Sequence, residues 1–119
     1  MLNNKNTIGV IGLGYVGLPL ALEFSKKTKV VGFDLNKKRI LELTEGKDIN
    51  SEVINAKIKN HKNLEFSYNE TKLKNCNIFI LTIPTPVDNK NLPDLTLLKN
   101  ACELVGKYIK KNSIFILES

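Results

Sequence analysis

Thr7-Ile-Gly-Val-Ile-Gly-Leu-Gly-Tyr-Val-Gly-Leu-Pro-Leu-Ala21, followed by Lys29-Val-Val-Gly-Phe-Asp34, is the stretch that decides the reading of this chain. An apolar run of β type enters Gly12-x-Gly14-x-x-Gly17 and a helical pattern follows. A second apolar run then ends on an acid about 20 residues further on. Each part has a physical task. Gly12 permits the tight turn out of the first strand. Gly14, with no Cβ, lets the backbone come close to a pyrophosphate. Gly17 lets the helix pack closely against the strand. The N-terminus of that helix presents unpaired N–H groups and the positive end of its dipole, which suits phosphates. Asp34 stands where a carboxylate accepts hydrogen bonds from both hydroxyls of a ribose. A glycine triplet alone also punctuates ordinary turns. The strand before it, the helix after it and the acid at that distance together point to a dinucleotide site.

Asp34 also bears on which dinucleotide. Its charge would repel the extra phosphate of NADP, which favours NAD. Lys37, Lys38 and Arg39 follow closely. They read either as bases able to hold a phosphate or as the solvated face of the next helix.

The chain has 119 residues, one domain's worth, and 42% of them are hydrophobic, enough for a real core. No apolar run approaches a membrane span, and residues 1–6 are polar with no signal-peptide pattern. Cys76 and Cys102 make neither a disulfide framework nor a metal site, and a reduced, cytoplasmic setting is the simplest inference. The net charge of +6 would suit nucleic acid or an anionic membrane surface. The basic residues are nearly all Lys, however, spread along the chain without aromatic interleaving, with Arg39 the single Arg. They do not form a nucleic-acid stripe.

Beyond the opening stretch, strand and helix patterns alternate. Residues 7–11 read as a buried strand. Residues 15–27 read as a helix with Val16, Leu20 and Phe24 as its inner stripe and Pro19 near its first turn. Residues 30–33 form the second strand. Asn36 then caps a helix to about Thr44, closed by Gly46. Residues 48–51 look like a turn and 52–59 like a short helix. His61, alone among Lys and Asn, reads as a surface residue without a role. Residues 64–68 alternate as a half-buried strand, and 73–76 make a helical turn. The continuous apolar run 78–83 is a strand covered on both faces, and it stops at Pro84-Thr85-Pro86. Asp94 caps a helix over 95–111 with Leu98, Cys102 and Val105 inside. Residues 113–117 are a fifth strand. Such alternation calls for a Rossmann-type doubly wound parallel sheet of order 3-2-1-4-5. In that sheet Gly12 to Gly17, Asp34, Pro84 to Pro86 and Glu118-Ser119 converge on the carboxyl edge.

With these segments in place, Ile11-Gly-Leu-Gly-Tyr-Val-Gly-Leu-Pro-Leu-Ala21, Gly32-Phe-Asp34 with Arg39, Ile83-Pro-Thr-Pro86 and Pro93-Asp-Leu95 resemble the UDP-glucose/GDP-mannose dehydrogenase family. They look most like its members that oxidise UDP-N-acetylhexosamines. The resemblance covers essentially the whole chain and only the N-terminal part of the family's length. It implies that 1–119 is an incomplete NAD-binding Rossmann domain. The family's central helical dimerisation region and C-terminal nucleotide-sugar domain lie outside it. It also implies a parent that oxidises the C6 alcohol of a UDP-sugar twice, to the uronate, with NAD as acceptor, as in surface polysaccharide synthesis. That chemistry uses a cysteine-bound intermediate whose residues the family places downstream, so no catalytic residue is expected here and the fragment alone should be inert. Cys76 and Cys102 read as core residues.

Carried over by position, Gly12, Gly14 and Gly17 shape the phosphate loop, and the backbone N–H groups of Tyr15 and Val16 face the pyrophosphate from its tip. Asp34 takes the adenosine ribose. Arg39 lies by the adenosine end, although without the family it reads equally as a surface helix charge. Thr85 meets the nicotinamide-side ribose or phosphate. Two other readings stay open: the N-terminal half of a β-hydroxyacid or 6-phosphogluconate-type dehydrogenase, and an NAD(H)-sensing module without catalysis. Strand five, with no sixth beside it, is expected to be an exposed edge through which the fragment self-associates.

Overall fold

The computed structural model describes residues 5–46 and 62–118. Five strands, β1 (Thr7–Ile11), β2 (Lys29–Phe33), β3 (Leu64–Ser67), β4 (Ile78–Leu81) and β5 (Ile114–Leu117), form one sheet of order β3-β2-β1-β4-β5. Every pairing in it is parallel. The order is the expected one. The helices are α1 (Gly17–Phe24), α2 (Lys37–Thr44) and α3 (Thr96–Gly106), with a 3-10 helix over Glu70–Asn75. The turn expected at 48–51, the helix expected at 52–59 and His61 lie outside the described residues.

Alternation along the strands builds two cores. On one face Ile8, Val10, Val30, Ile78 and Ile80 pack with Leu18, Ala21 and Leu22 of α1 and with Ile40 and Leu43 of α2. On the other face Ile11, Val31, Phe33, Phe79 and Leu81 pack with Leu73 and Cys76 and with Ala101, Leu104 and Val105 of α3. Helices on both faces explain why β1, β2 and β4 are nearly continuous apolar runs.

Three expectations need correction. Helix α1 is shorter than 15–27: Tyr15 and Val16 form a turn, and Val16 is exposed. The inner face is therefore Gly17, Leu18, Ala21 and Leu22, with Leu20 and Phe24 half-buried at its flank. Past Phe24 the chain tightens into i→i−3 bonds, Lys26 N–H to Glu23 O and Lys27 N–H to Phe24 O, while the Ser25 hydroxyl donates to Leu22 O. Helix α3 likewise ends at Gly106, where Lys107 and Tyr108 donate to Leu104 O and Val105 O. Its stripe runs through Leu98, Ala101, Leu104 and Val105, and Cys102 falls one position off it and is exposed. Asp94 supports the start of α3 by accepting from Thr96 N–H, although the capping position itself is Leu95.

Candidate functional site

The carboxyl ends of β1, β2 and β4 meet at one edge of the sheet, where the chain leaves β1 and β4 in opposite directions. Such a switch point opens a crevice. The three glycines of the loop above it do different work. Gly12 has φ +97°, and a Cβ there would lie 2.6 Å from Thr82 O. A Cβ on Gly17, the first residue of α1, would lie 1.7 Å from Gly12 O and 2.4 Å from Thr82 Oγ1. Both positions are thus demanded by the protein's own packing. Gly14 is not: a Cβ there would meet nothing within 4 Å. The space above Gly14 is open.

Around that space the backbone is poised for an anion. Leu18 N–H bonds to Gly14 O and Leu20 N–H to Val16 O, closing the first turn of α1. Among the described residues the N–H groups of Tyr15, Val16 and Gly17 have no acceptor, and no side chain caps the helix. Tyr15, 90% exposed, stands at the tip of the loop beside the exposed Val16.

Asp34 follows β2 directly, and its carboxylate faces the loop. Oδ2 accepts from Leu13 N–H at 3.0 Å and Oδ1 from Asn36 N–H at 2.9 Å. Arg39, in the first turn of α2, donates from Nε and Nη2 to Leu13 O at 2.9 and 2.8 Å. One peptide segment of the loop is therefore held at its N–H by the acid and at its C=O by the base. The Asn36 side chain caps α2 through Arg39 N–H at 3.1 Å, which sets where Arg39 emerges. Lys37 lies over the Tyr68 ring, 5.3 Å from its centroid. Two of the three bases after Asp34 thus have partners within the protein.

Thr85 lies on the loop beyond β4, exposed between its two prolines, and its hydroxyl makes no hydrogen bond among the described residues. The loop beyond it closes on itself. Val87 and Pro93 form an antiparallel bridge, Asp94 N–H donates to Pro86 O at 2.6 Å, and Asp88 Oδ1 accepts from Lys90 and Leu92 N–H. Gly12, Gly17, Asp34 and Arg39 are joined by contacts through the Gly12–Leu13 backbone, and Thr85 stands on a separate loop at the same edge.

The residues that reading the sequence missed are Leu13 and Thr82. Leu13 is gripped through its backbone while its side chain is buried, which no side-chain pattern reveals. Thr82 did carry a signal: it is the lone hydroxyl in the apolar run 78–83. Its Oγ1 lies 2.6 Å from Gly12 O.

The two cysteines differ in their surroundings. Burial pushes the Cys76 thiol up to about 12, the opposite of what a reactive thiolate needs. Cys102 is exposed on α3. Among the described residues no group of three His, Cys, Asp or Glu side chains could hold a metal ion, and no helix is long and apolar enough to cross a membrane.

Comparison with known proteins gives these features a family. Residues 6–119 match the family model described as UDP-glucose/GDP-mannose dehydrogenase family, NAD binding domain. A UDP-N-acetyl-D-glucosamine 6-dehydrogenase of Pseudomonas aeruginosa is 53% identical over 94% of this chain and 26% of its own length. A UDP-N-acetyl-D-mannosamine dehydrogenase of Yersinia pestis is 33% identical over 95% of this chain and 27% of its own. The solved structure of a UDP-D-ManNAc dehydrogenase from Pyrococcus horikoshii superposes with a TM-score of 0.90 at 31% identity, covering 95% of this chain and 28% of that one. The chain spans about a quarter of the length of the curated relatives it matches. The sheet order is thus that of a known dehydrogenase fold, and the chain belongs to the UDP-glucose/GDP-mannose dehydrogenase family, as its NAD binding domain.

Proposed function

We propose that this chain is the cofactor-binding part of a nucleotide-sugar 6-dehydrogenase acting on a UDP-N-acetylhexosamine, and that the pyrophosphate of NAD lies on the loop at Gly14. The observation that carries this reading is the open space above Gly14, bordered by the unpartnered N–H groups of Tyr15, Val16 and Gly17. Protein packing accounts for Gly12 and Gly17 but gives no reason for a glycine at 14. A ligand that must approach the backbone does. Asp34 takes the adenosine ribose, with its oxygens already oriented by Leu13 and Asn36 N–H. Arg39 holds the loop at that end, and Thr85 lies on the nicotinamide side. NAD, when bound, supplies the hydride acceptor.

The names of the relatives above support the substrate class, a UDP-sugar bearing an N-acetylated hexose. The oxidation of its C6 alcohol in two stages to a uronate, and its use in surface polysaccharide synthesis, belong to the same proposal. In this proposal the groups that act on the sugar belong to the part of such enzymes that this chain does not span, and the chain by itself binds cofactor without turning over sugar. The parent works as a homodimer, and the isolated chain associates through the open edge of β5.

Calorimetric titration of the chain with NAD and NADP tests this. NAD should bind more tightly than NADP. Asp34→Asn should weaken NAD tenfold or more and narrow the difference between the two. Gly14→Ala should fold as the wild type does, since its methyl meets no protein atom, yet lose NAD by a similar factor. A Gly14→Ala variant that binds NAD like the wild type overturns the placement of the pyrophosphate.

A further inference from the structure

Thr82 follows the last residue of β4, and its N–H donates to Ile11 O at 2.9 Å, extending the β1–β4 ladder by one rung. There the ladder stops, because Gly12 turns away at φ +97°. The turn leaves Gly12 O facing into the protein, beyond reach of a ladder N–H. The Thr82 hydroxyl meets it at 2.6 Å and lies 3.1 Å from Ile11 O. The same oxygen stands 2.4 Å from where a Gly17 Cβ would be, so the first turn of α1 rests directly against it. One hydroxyl therefore sits between the first and third glycines of the loop.

We propose that Thr82 is a positioning residue for the dinucleotide. By holding the Gly12 carbonyl against the start of α1, it fixes the direction in which the N–H groups at 15–17 point. This rests on the reading that those groups receive the pyrophosphate. Without the hydroxyl, a partly buried carbonyl loses its donor, and the Gly12 peptide gains by rotating toward another. Rotation there re-aims the loop ahead of α1, and because the Gly12 C=O and the Leu13 N–H belong to one planar peptide it also strains the Leu13 bond to Asp34 Oδ2, while Asn36 N–H still holds Oδ1. The effect should therefore fall most heavily on ligands carrying a pyrophosphate and reach adenosine only through one of the two bonds that orient Asp34.

The test is an NMR shift titration of the 119-residue chain with NAD, ADP and adenosine, for the wild type, Thr82→Val and Thr82→Ser. Val keeps the shape and removes the donor; Ser keeps the donor and removes the methyl. Thr82→Val should bind NAD and ADP at least tenfold more weakly, with adenosine losing no more than threefold. Thr82→Ser should stay within threefold for all three. Equal losses on adenosine and ADP would mean general loosening and overturn the proposal, as would a Ser variant no better than Val. A Val variant that binds NAD normally sinks the role of Thr82 alone, whereas a wild type that binds no NAD sinks the reading of the loop and this proposal with it. If Thr82→Val does not fold, Thr82→Ala against Thr82→Ser decides by the same criteria.

Discussion

Strands β4 and β5 are the same four residues, Ile-Phe-Ile-Leu, lying side by side in parallel register from Ile78 beside Ile114 to Leu81 beside Leu117. In β4 all four are buried; in β5 all four are exposed, by 40% to 51%. Local preference is identical, and it makes a strand both times. The difference lies in the neighbours. β4 has β1 on one side and β5 on the other, with α1 and α2 over Ile78 and Ile80 and with α3 and Leu73 over Phe79 and Leu81. Among the described residues β5 has a single neighbouring strand, and none of its residues joins either core cluster. An apolar strand in that position is an open edge. The same tetrapeptide thus lies in the middle of the sheet in one copy and at its edge among the described residues in the other.

Charge is the sharpest way to break this pairing. Ile80→Lys places an unpaired ammonium in the first core and should cost more than about 4 kcal/mol, enough to unfold so small a domain. Circular dichroism would show the loss. Ile116→Lys, at the matching position of β5, should keep the fold and suppress self-association in sedimentation velocity, because a Lys on an edge strand blocks further pairing. An Ile116→Lys chain that associates as the wild type does would move the contact elsewhere.

A milder pair sharpens the comparison into numbers. Phe79→Ala should destabilise by about 3–5 kcal/mol in urea unfolding, since Phe79 is wholly buried. Phe115→Ala should cost about 1 kcal/mol, since that ring already meets solvent. Equal costs would mean that something covers β5 in solution.

The smallest effect is on the cysteines. Cys76 packs against Gly9 on the face of the sheet that carries Phe79, and its thiol is pushed from near 9.0 up to about 12. Below pH 9 the thiol is protonated whether folded or not, and it contributes no pH dependence. Between about 9 and about 12 only the unfolded chain ionises, so stability should fall as pH rises through that window. Cys76→Ala should flatten that slope. In thiol labelling of the native chain, Cys102 should react at once and Cys76 only on unfolding.

Much of the fold was legible because its signals are local and repeated. The apolar run 7–11, the glycine spacing and the acid at 34 each state one step of a strand–loop–helix–strand path. Alternation of elements then leaves few parallel-sheet topologies. Asn36 and Gly46 announced α2 because caps are chosen by the backbone groups they satisfy. The helix faces of α1 and α3 were less legible. Periodicity reports spacing and leaves the phase open, and phase is set by where a helix begins against the sheet. A two-residue shift at Gly17 turned Val16 outward, and one position separates exposed Cys102 from buried Ala101.

The sequence by itself determined that residues 7–34 form a strand, a glycine loop, a helix and a second strand ending in an acid, and that a parallel sheet of this order contains them. Backbone conformation and binary pattern act over a few residues, so a few residues reveal them. Only the tertiary structure decided that Gly14 is free of protein contacts while Gly12 and Gly17 are not, that Asp34 and Arg39 grip the two sides of Leu13, and that Thr82 reaches Gly12 from 70 residues away. Those contacts depend on where β1, β2 and β4 end relative to one another. That registry is fixed by the packing of the whole sheet, which no single segment encodes.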